Sequence, residues 1–299
     1  MTANDPDANI VDPGAGSAPH ANELMTILDL ERIEIDMFRG FTPPEERRRI
    51  YGGQVVAQAL AAAYRTIEGR VCCSLHAYFI RAGDPKIPIL YMTERDRDGG
   101  SFSVRRVVAI QDGAQIFNLA ATFQTPEDGL QHQFDMPDAP PPEGLLNEEQ
   151  LRAAAGQNNE WSRRIWPVEV RPIDPVPHGD MTPRDTRNSV WFKARQSVGD
   201  DVAANQCALA YASDMTLLDG ALRPHPFNWD SGGMQVASLD HALWFHQPSD
   251  FSAWHLYVQD SPSAFGGRGF NRGSVYTRDG RLVASAAQDA LIRFRPKTA

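Results

Sequence analysis

The chain has 299 residues, about the length of two domains of roughly 150 residues each. Its net charge is −9 at pH 7, and 26 of its 29 basic residues are arginines, so it lacks the basic surface that general nucleic-acid binding needs. No window approaches the ~18 uninterrupted apolar residues of a membrane span, and the start of the chain lacks the pattern of a signal peptide.

Cysteine usage favours a reducing compartment. The chain has three cysteines, an odd number, and Cys72 and Cys73 are neighbours. A disulfide framework is therefore not expected. Together with the missing membrane and secretion signals, this predicts a soluble cytoplasmic protein.

The chain opens with a stretch that carries no identifiable chemistry. Residues 1–22 are rich in Asp, Pro, Gly, Ala and Ser and predict a disordered leader. A short helix is predicted over 24–28. It is followed by a strand through Ile33, Ile35 and Met37, whose apolar residues alternate.

The first folded unit is predicted over residues 23–125. Gly52 and Gly53 precede an alanine-rich helix over 54–65, whose small side chains predict close packing against a sheet. Four strands are then predicted, at residues 72–81, 88–97, 102–111 and 114–124. One long helix followed by antiparallel strands indicates an α+β unit in which the sheet curls around the helix.

A connector is predicted over residues 126–185, where prolines are concentrated and only one short helical patch appears, near 147–155. The pattern of the first unit then restarts over 186–299. Its elements are predicted as a strand at 189–197, a helix at 202–218, strands at 234–246 and 253–260, and a hairpin over 269–295.

The two units are copies of each other. Ser74-Leu75 matches Ser238-Leu239 at an offset of 164, Leu90-Tyr91 matches Leu256-Tyr257 at 166, and the Asp-Gly turns after Gln111 and Arg278 match at 167. Arg105 matches Arg272 at the same offset of 167. Nearly constant offsets predict a duplicated structural unit.

Residues 235–246 contain the most informative polar pattern. As a strand, this stretch places Ser238 and Asp240 on one side and Leu239 and Leu243 on the other. The polar pair would then face away from the main core. Helical periodicity fits nearly as well, but the matching stretch in the first unit favours a strand.

Several motifs resemble the acyl-CoA thioesterase II family. They are Gly-Gly-Gln-Val-Val-Ala-Gln-Ala-Leu (52–60), His-Ala-Tyr-Phe-Ile-Arg-Ala-Gly-Asp (76–84), Arg-Asp-Gly-Gly-Ser-Phe-Ser-Val-Arg-Arg-Val (97–107), Tyr-Ala-Ser-Asp (211–214), Leu-Asp-His-Ala-Leu-Trp-Phe-His (239–246) and Arg-Gly-Phe (268–270). The resemblance runs from about residue 24 to residue 294. It implies a double hotdog, in which each of two repeats is a long helix wrapped by an antiparallel sheet.

The resemblance also implies a catalytic site. In that family an aspartate, a hydroxyl residue and a glutamine hold the hydrolytic water, and by motif these are Asp214, Ser238 and Gln288. The first repeat resembles a spent copy, with Ser74 matching Ser238, Ala121 standing where Gln288 does and Thr66 lying near the Asp214 position. The family needs no cofactor, and its substrate is an acyl-CoA.

These residue types suit thioester hydrolysis without a covalent intermediate. Asp214 can act as a general base toward water, while Ser238 and Gln288 orient that water. A backbone N–H at a helix start, near Gly53, can stabilise the oxyanion. For the coenzyme phosphates we expect Arg268 or Arg272, although a solvated strand arginine explains either equally well.

Other candidate sites are weaker. His241 could act as a base, but a histidine on the apolar face of a strand is more often a core residue. Cys72, Cys73 and His76 could suggest a metal, yet strand alternation separates Cys73 from His76 and no further ligand pair follows, so no metal site is expected. No Gly-x-Ser-x-Gly elbow is present, which argues against a serine hydrolase, and the glycines at 267–273 lack dinucleotide-loop spacing.

Two alternative functions remain open from the sequence. Asp250 and His255 have the Asp-x4-His spacing of hydratases on the same duplicated scaffold, but the Asn-Pro expected between them is missing. A non-catalytic acyl-CoA binder would be expected to have lost one of the three site residues.

Exposed sheet edges predict a homo-oligomer, a dimer or tetramer. The preferred acyl chain length does not follow from the sequence.

Overall fold

The computed structural model describes residues 23–43, 49–157, 166–227 and 233–294, so the predicted leader lies outside the described residues. The helices are α1 (Glu23–Leu28), α2 (Gly52–Tyr64), α3 (Glu148–Ala154), α4 (Val202–Ser213) and α5 (Asp219–Leu222), with a 3-10 turn at Pro142–Gly144. The strands of the first half are β1 (Glu31–Glu34), β2 (Met37–Gly40), β3 (Val71–Phe79), β4 (Ile89–Asp98), β5 (Phe102–Gln111) and β6 (Ala114–Gln124). Those of the second half are β7 (Val168–Pro172), β8 (Asn188–Ala194), β9 (Met234–Ser238), β10 (Asp240–Phe245), β11 (His255–Phe265), β12 (Arg268–Thr277) and β13 (Leu282–Phe294).

All described strands belong to one antiparallel sheet in which the two halves repeat each other. The order is β1-β2-β4-β5-β6-β3-β10-β13-β12-β11-β8-β7, and β9 also pairs with β13. Read outward from the β3–β10 pair, the two halves have the same connectivity. This is the predicted arrangement of two repeats, and β3 and β10 join their sheets into one.

The two long helices lie inside the curled sheet and pack against each other. In α2 every residue from Gly53 to Ala63 is buried, and in α4 every residue from Asn205 to Ser213 is buried. Alanine-rich sequence makes this possible because small side chains let two helices and a sheet approach closely. Asp201 caps the start of α4 by accepting hydrogen bonds from the backbone N–H groups of Ala203 and Ala204.

Some helices and strands differ from the sequence prediction. The single strand predicted through Ile33, Ile35 and Met37 is a tight hairpin, because the chain turns at Asp36, whose φ is +56°. Strand β7 lies within the stretch predicted as a connector. The helix predicted over 202–218 ends at Ser213, and Asp214 is its C-cap residue rather than part of its last turn.

A β-bulge changes which side chains of residues 235–246 face the helices. Ser238 pairs with Ala290, but Ala242 pairs with Ala287, so the β9–β10 stretch has one residue more than β13 opposite it. Asp240 Oδ1 accepts a hydrogen bond from the backbone N–H of Asp289, which satisfies a donor within the bulge. The extra residue places Ser238 on the same inner face as His241 and Leu243, so the predicted pairing of Ser238 with Asp240 on an outer face is wrong.

Candidate active site

Asp214 lies where the end of one long helix meets the start of the other. It is the C-cap of α4, with αR backbone angles, and its carboxylate accepts a hydrogen bond from the backbone N–H of Gly53 at the start of α2. The two helices belong to different repeats. The site is therefore built across the boundary between them.

Two glycines at the start of α2 allow it to pack closely against the end of α4. A Cβ on Gly52 would come 2.7 Å from Asp214 Oδ2 and 3.1 Å from the ring of Phe79, and a Cβ on Gly53 would come 2.3 Å from the carbonyl oxygen of Tyr211. A larger residue at Gly53 would separate the helix ends, and one at Gly52 would displace the carboxylate of Asp214. The Gly-Gly pair is therefore explained by close contact between α2 and the end of α4.

Three polar side chains predicted from separate motifs meet at one carboxylate oxygen. Gln288 Nε2 donates to Asp214 Oδ1 at 2.6 Å, and Ser238 Oγ donates to the same oxygen at 3.3 Å. Gln288 comes from β13 and is 1% exposed, and Ser238 comes from the end of β9 just before the bulge. The structure thus brings Asp214, Ser238 and Gln288 into hydrogen-bond contact.

The environment of Asp214 brings its acid–base equilibrium close to neutral pH. Burial raises the pKa of the carboxyl to about 6, against the lowering effects of the hydrogen bonds from Gln288, Ser238 and the Gly53 N–H. A carboxylate with this pKa is ionised at neutral pH and still basic enough to accept a proton.

Gln288 has a second hydrogen-bonding atom. Its Oε1 is buried and has no partner among the described residues. Buried polar atoms in proteins are nearly always hydrogen-bonded, so this oxygen is an acceptor for an O–H group that enters the site. Chemically, the arrangement offers an ionised carboxylate, a hydroxyl and a free amide acceptor around one small volume.

The first repeat does not reproduce this set of side chains. Ala121 stands at the position of Gln288, so Phe123, two residues on, corresponds to Ala290. Cys72 of β3 pairs with Phe123, and Ser238 of β9 pairs with Ala290. Cys72, rather than Ser74, is therefore the counterpart of Ser238. The alanine and the buried thiol provide neither the amide nor the hydroxyl. The predicted description of a spent copy fits these residues.

The residues predicted to bind substrate lie at different places. Gly53 is at the site, but its N–H donates to Asp214. Arg268 is exposed and pairs with Asp289, and Arg272 is exposed and pairs with Asp260 through contacts of 2.7 and 3.1 Å. Arg272 lies on the face of the sheet opposite to that of Gln288, because the neighbouring Asn271 is the residue paired with Gln288.

Arg105 was matched to Arg272 by sequence offset, but the two differ in environment. Arg105 is 2% exposed and donates to Thr66 Oγ1, to backbone carbonyl oxygens and to Asp98. It fixes the loop after α2. Burial therefore makes Asn271, not Arg272, its counterpart on β12.

The other candidate groups have different surroundings. Within residues 23–43, 49–157, 166–227 and 233–294 there is no group of three or more His, Cys, Asp or Glu placed to hold a metal ion. His255 packs against Phe192 and Phe251, and its Nδ1 lies 2.9 Å from the carbonyl oxygen of Ala253. His241 is fully buried and lies 2.9 Å from Ser213, beside Asp214.

Comparison with known proteins identifies the family. The profile of the family described as Acyl-CoA thioesterase matches residues 158–291, and that of the Acyl-CoA thioesterase N-terminal domain matches residues 42–124. The chain is 40% identical to Acyl-CoA thioesterase 2 of Haemophilus influenzae over 281 residues, covering 91% of this chain and 98% of that protein. The chain belongs to the acyl-CoA thioesterase family. It is also 39% identical over 289 residues to human Acyl-coenzyme A thioesterase 8, covering 92% of this chain and 90% of that protein.

Solved structures agree with the fold. The acyl-CoA thioesterase II TesB2 from Mycobacterium marinum superposes with a TM-score of 0.76 at 38% identity, covering 92% of this chain and 100% of that one. A hot dog fold protein from Alicyclobacillus acidocaldarius matches with a TM-score of 0.71 at 18% identity, covering 91% of this chain and 98% of that one. The double hotdog prediction is confirmed. None of the described helices is long and apolar enough to cross a membrane.

Proposed function

We propose that this thioesterase hydrolyses medium- to long-chain fatty acyl-CoA to the free fatty acid and CoA, using a water molecule activated by Asp214. The observation that carries the proposal is the convergence of Gln288 and Ser238 on one oxygen of Asp214. The two donors, Ser238 and Gln288, lie 24 and 74 residues after Asp214 in the chain. The relatives named as acyl-CoA thioesterases support the substrate class.

In the proposed reaction, the oxygen of the bound water attacks the carbonyl carbon of the thioester while Asp214 accepts one of its protons. The tetrahedral intermediate then collapses, the C–S bond breaks, and the electron pair leaves with the sulfur of CoA. The protonated Asp214 returns its proton to that thiolate. This cycle restores the carboxylate without a covalent enzyme intermediate.

The neighbours of Asp214 would orient the water and stabilise the oxyanion. Gln288 Oε1 would accept the second O–H of the water, since this buried oxygen has no partner among the residues that are described. Ser238 would hold the attacking oxygen on the side of β9. The start of α2, at Gly52 and Gly53, is next to the reacting atoms, and its N-terminal partial positive charge would stabilise the oxyanion.

Binding of the coenzyme phosphates remains assigned to Arg268 or Arg272 as part of the proposal. Both guanidinium groups are exposed and both are paired with carboxylates. A phosphate would have to displace Asp289 or Asp260, and a planar guanidinium is suited to that exchange because it binds phosphate through two donors. Both arginines lie on the face of the sheet opposite to that of Gln288, because their partners on β13 are Leu291 and Ala287.

The test is a thiol-trapping assay of CoA release on a panel of acyl-CoAs from short to long chain. Asp214→Asn and Gln288→Ala are each expected to lower kcat by roughly 10²-fold or more, as removal of a single positioned group does in other hydrolases. Ser74→Ala, a strand serine of the first repeat, is the matched control and is expected to retain activity. Unchanged turnover in Asp214→Asn would remove that residue from the mechanism.

The hydratase alternative has no support in the geometry around Asp250 and His255. Asp250 accepts a hydrogen bond from the backbone N–H of Ser252, and His255 packs between aromatic rings of the core. A polyketide synthase dehydratase domain resembles the chain at a TM-score of 0.52 and 11% identity, which is a likeness of fold alone. We retain as proposals a cytoplasmic location, which cell fractionation would test, and a homo-oligomer, which size-exclusion chromatography with light scattering would test.

A further inference from the structure

The last turn of α4 is held by a histidine that sequence reasoning took for a core residue. Ser213 is fully buried, and its hydroxyl donates to the carbonyl oxygen of Ala210 at 3.0 Å. His241 Nε2 lies 2.9 Å from the same hydroxyl oxygen. With the hydroxyl donating to Ala210, the imidazole donates in this second contact, which assigns the His241 proton to Nε2.

A second sheet residue holds the backbone of Ser213. Tyr257 OH donates to the Ser213 carbonyl oxygen at 3.0 Å. A Cβ on Gly273 would come 2.4 Å from the Tyr257 ring, so a glycine there admits the ring to this position. Ser213 is thus fixed through its side chain by β10 and through its carbonyl by β11. The next residue in the chain is Asp214.

Packing alone does not explain a histidine at position 241. Its Nδ1 is buried and has no hydrogen-bond partner among the described parts of the chain. Burial lowers the pKa of the ring to about 4, so it is neutral at physiological pH and forms no ion pair. A leucine would fill the same core position without a buried unpaired acceptor. The benefit of this histidine must therefore come from the hydrogen bond to Ser213.

We propose that His241 is a positioning residue for thioester hydrolysis, holding Ser213 so that the carboxylate of Asp214 stays aligned with Gln288 and Ser238. This inference rests on the proposed function. The β-bulge at Leu239 and Asp240 brings Ser238 to the inner face on which His241 lies, so both side chains reach the end of α4. His241 does not contact the reacting atoms.

The experiment compares His241→Leu, which removes the donor at similar volume, with His241→Gln, whose amide can donate from about the position of Nε2. We expect His241→Leu to lower kcat by about tenfold or more with little change in KM, because a small displacement of a catalytic group slows chemistry without altering substrate binding. His241→Gln should recover most of the loss. The control is His246→Leu, which removes another histidine–serine contact, to Ser285 at 2.8 Å, without affecting α4.

The pH profile separates positioning from stability. The described groups that face Asp214 are Gln288, Ser238, the Gly53 N–H and the phenol of Tyr257, which is neutral because burial raises its pKa well above the ordinary value. Misalignment in His241→Leu weakens the donors that lower the pKa of Asp214. The acidic limb of kcat should then move to higher pH, whereas a purely structural role would lower Tm and leave that limb in place.

Ser213→Ala tests the same link if His241→Leu folds poorly, and the double variant should lose no more activity than the more affected single variant. Wild-type kcat in His241→Leu, or in Ser213→Ala where His241→Leu folds poorly, would overturn the inference, as would additive losses in the double variant. An Asp214→Asn variant assayed in parallel distinguishes failure of the positioning role of His241 from failure of the proposed mechanism. Loss of activity there with a fully active His241→Leu refutes only the positioning role, and an active Asp214→Asn refutes the proposed mechanism itself.

Discussion

Substitution of Gly52 by alanine should give opposite effects on stability and on activity. Gly52 is the first residue of α2, and alanine is the better helix former by up to about 1 kcal/mol. On helix propensity alone, Gly52→Ala should stabilise the protein slightly. The contact with the carboxylate of Asp214, the proposed base, changes this expectation.

The magnitude follows from the space around Gly52. A Cβ would lie 2.7 Å from Asp214 Oδ2, where ordinary contacts begin at 3.4 Å, so the carboxylate must move by about 0.7 Å. The ring of Phe79, at 3.1 Å, limits movement of the new methyl group the other way. Displacements of about 1 Å at a catalytic group can cost ~10²-fold in rate, so we expect kcat to fall by roughly 10- to 100-fold.

The assay is CoA release at saturating substrate, with Tm measured on the same samples. The matched control is Gly144→Ala, because Gly144 ends the 3-10 turn and a Cβ there meets nothing within 4 Å. Gly144→Ala should retain full activity. If Gly52→Ala keeps wild-type kcat, then close packing of α2 against Asp214 is not needed for catalysis, and the reasoning from this contact is wrong.

Three further predictions concern the same region. The kcat of the wild-type enzyme should rise with pH through about pH 6 as Asp214 ionises. In Gln288→Ala the residual activity should rise at a higher pH, because the hydrogen bond from Gln288 lowers the pKa of Asp214 and its loss raises that pKa. pH–rate profiles check both. Because the pKa of Asp214 is raised on folding, its ionisation opposes folding, and stability is lost as pH rises from about 4 to 6. Asp214→Asn should therefore increase the free energy of unfolding at pH 7.5 by about 1 to 3 kcal/mol in urea titrations, with little gain at pH 4. Gly273→Ala should destabilise the fold by about 1–3 kcal/mol in the same titrations, because its Cβ would overlap the buried ring of Tyr257.

The sequence was sufficient for the architecture because the fold repeats itself. Two alanine-rich helices, each followed by alternating strands at nearly constant offsets, predict two matching units without reference to contacts. Strands β5 and β6 were predicted at their observed bounds, since the Asp-Gly turn between them marks both ends. The motif matches also selected Asp214, Ser238 and Gln288, which the structure brings together.

The sequence was insufficient where one extra residue changes a strand. Strict alternation from Leu243 back to Ser238 puts these two side chains on opposite faces, and only the pairing partners on β13 reveal the bulge. Asp240 stabilises that bulge through a side-chain hydrogen bond to the backbone of Asp289, a contact of 49 residues' separation that no local pattern encodes. Alternation with Leu243 places His241 on the apolar face, but its contact with Ser213 joins residues 28 apart in the chain, which no local pattern encodes.

The asymmetry between the repeats has a physical reason in the position of Asp214. The carboxylate is at the C-terminal end of α4, where the partial negative charge of the helix opposes ionisation, and it receives an N–H from Gly53 at the positive end of α2. In the proposed mechanism the second repeat therefore supplies the base, and the first repeat supplies the groups that keep the base ionised and in place. Gly52, Gly53 and Phe79 belong to that first repeat, and Phe79 N–H donates to the carbonyl oxygen of the bulge residue Leu239 at 3.0 Å. A first repeat without its own acid and amide is still required at the site, because its helix start and central strand form one wall around Asp214.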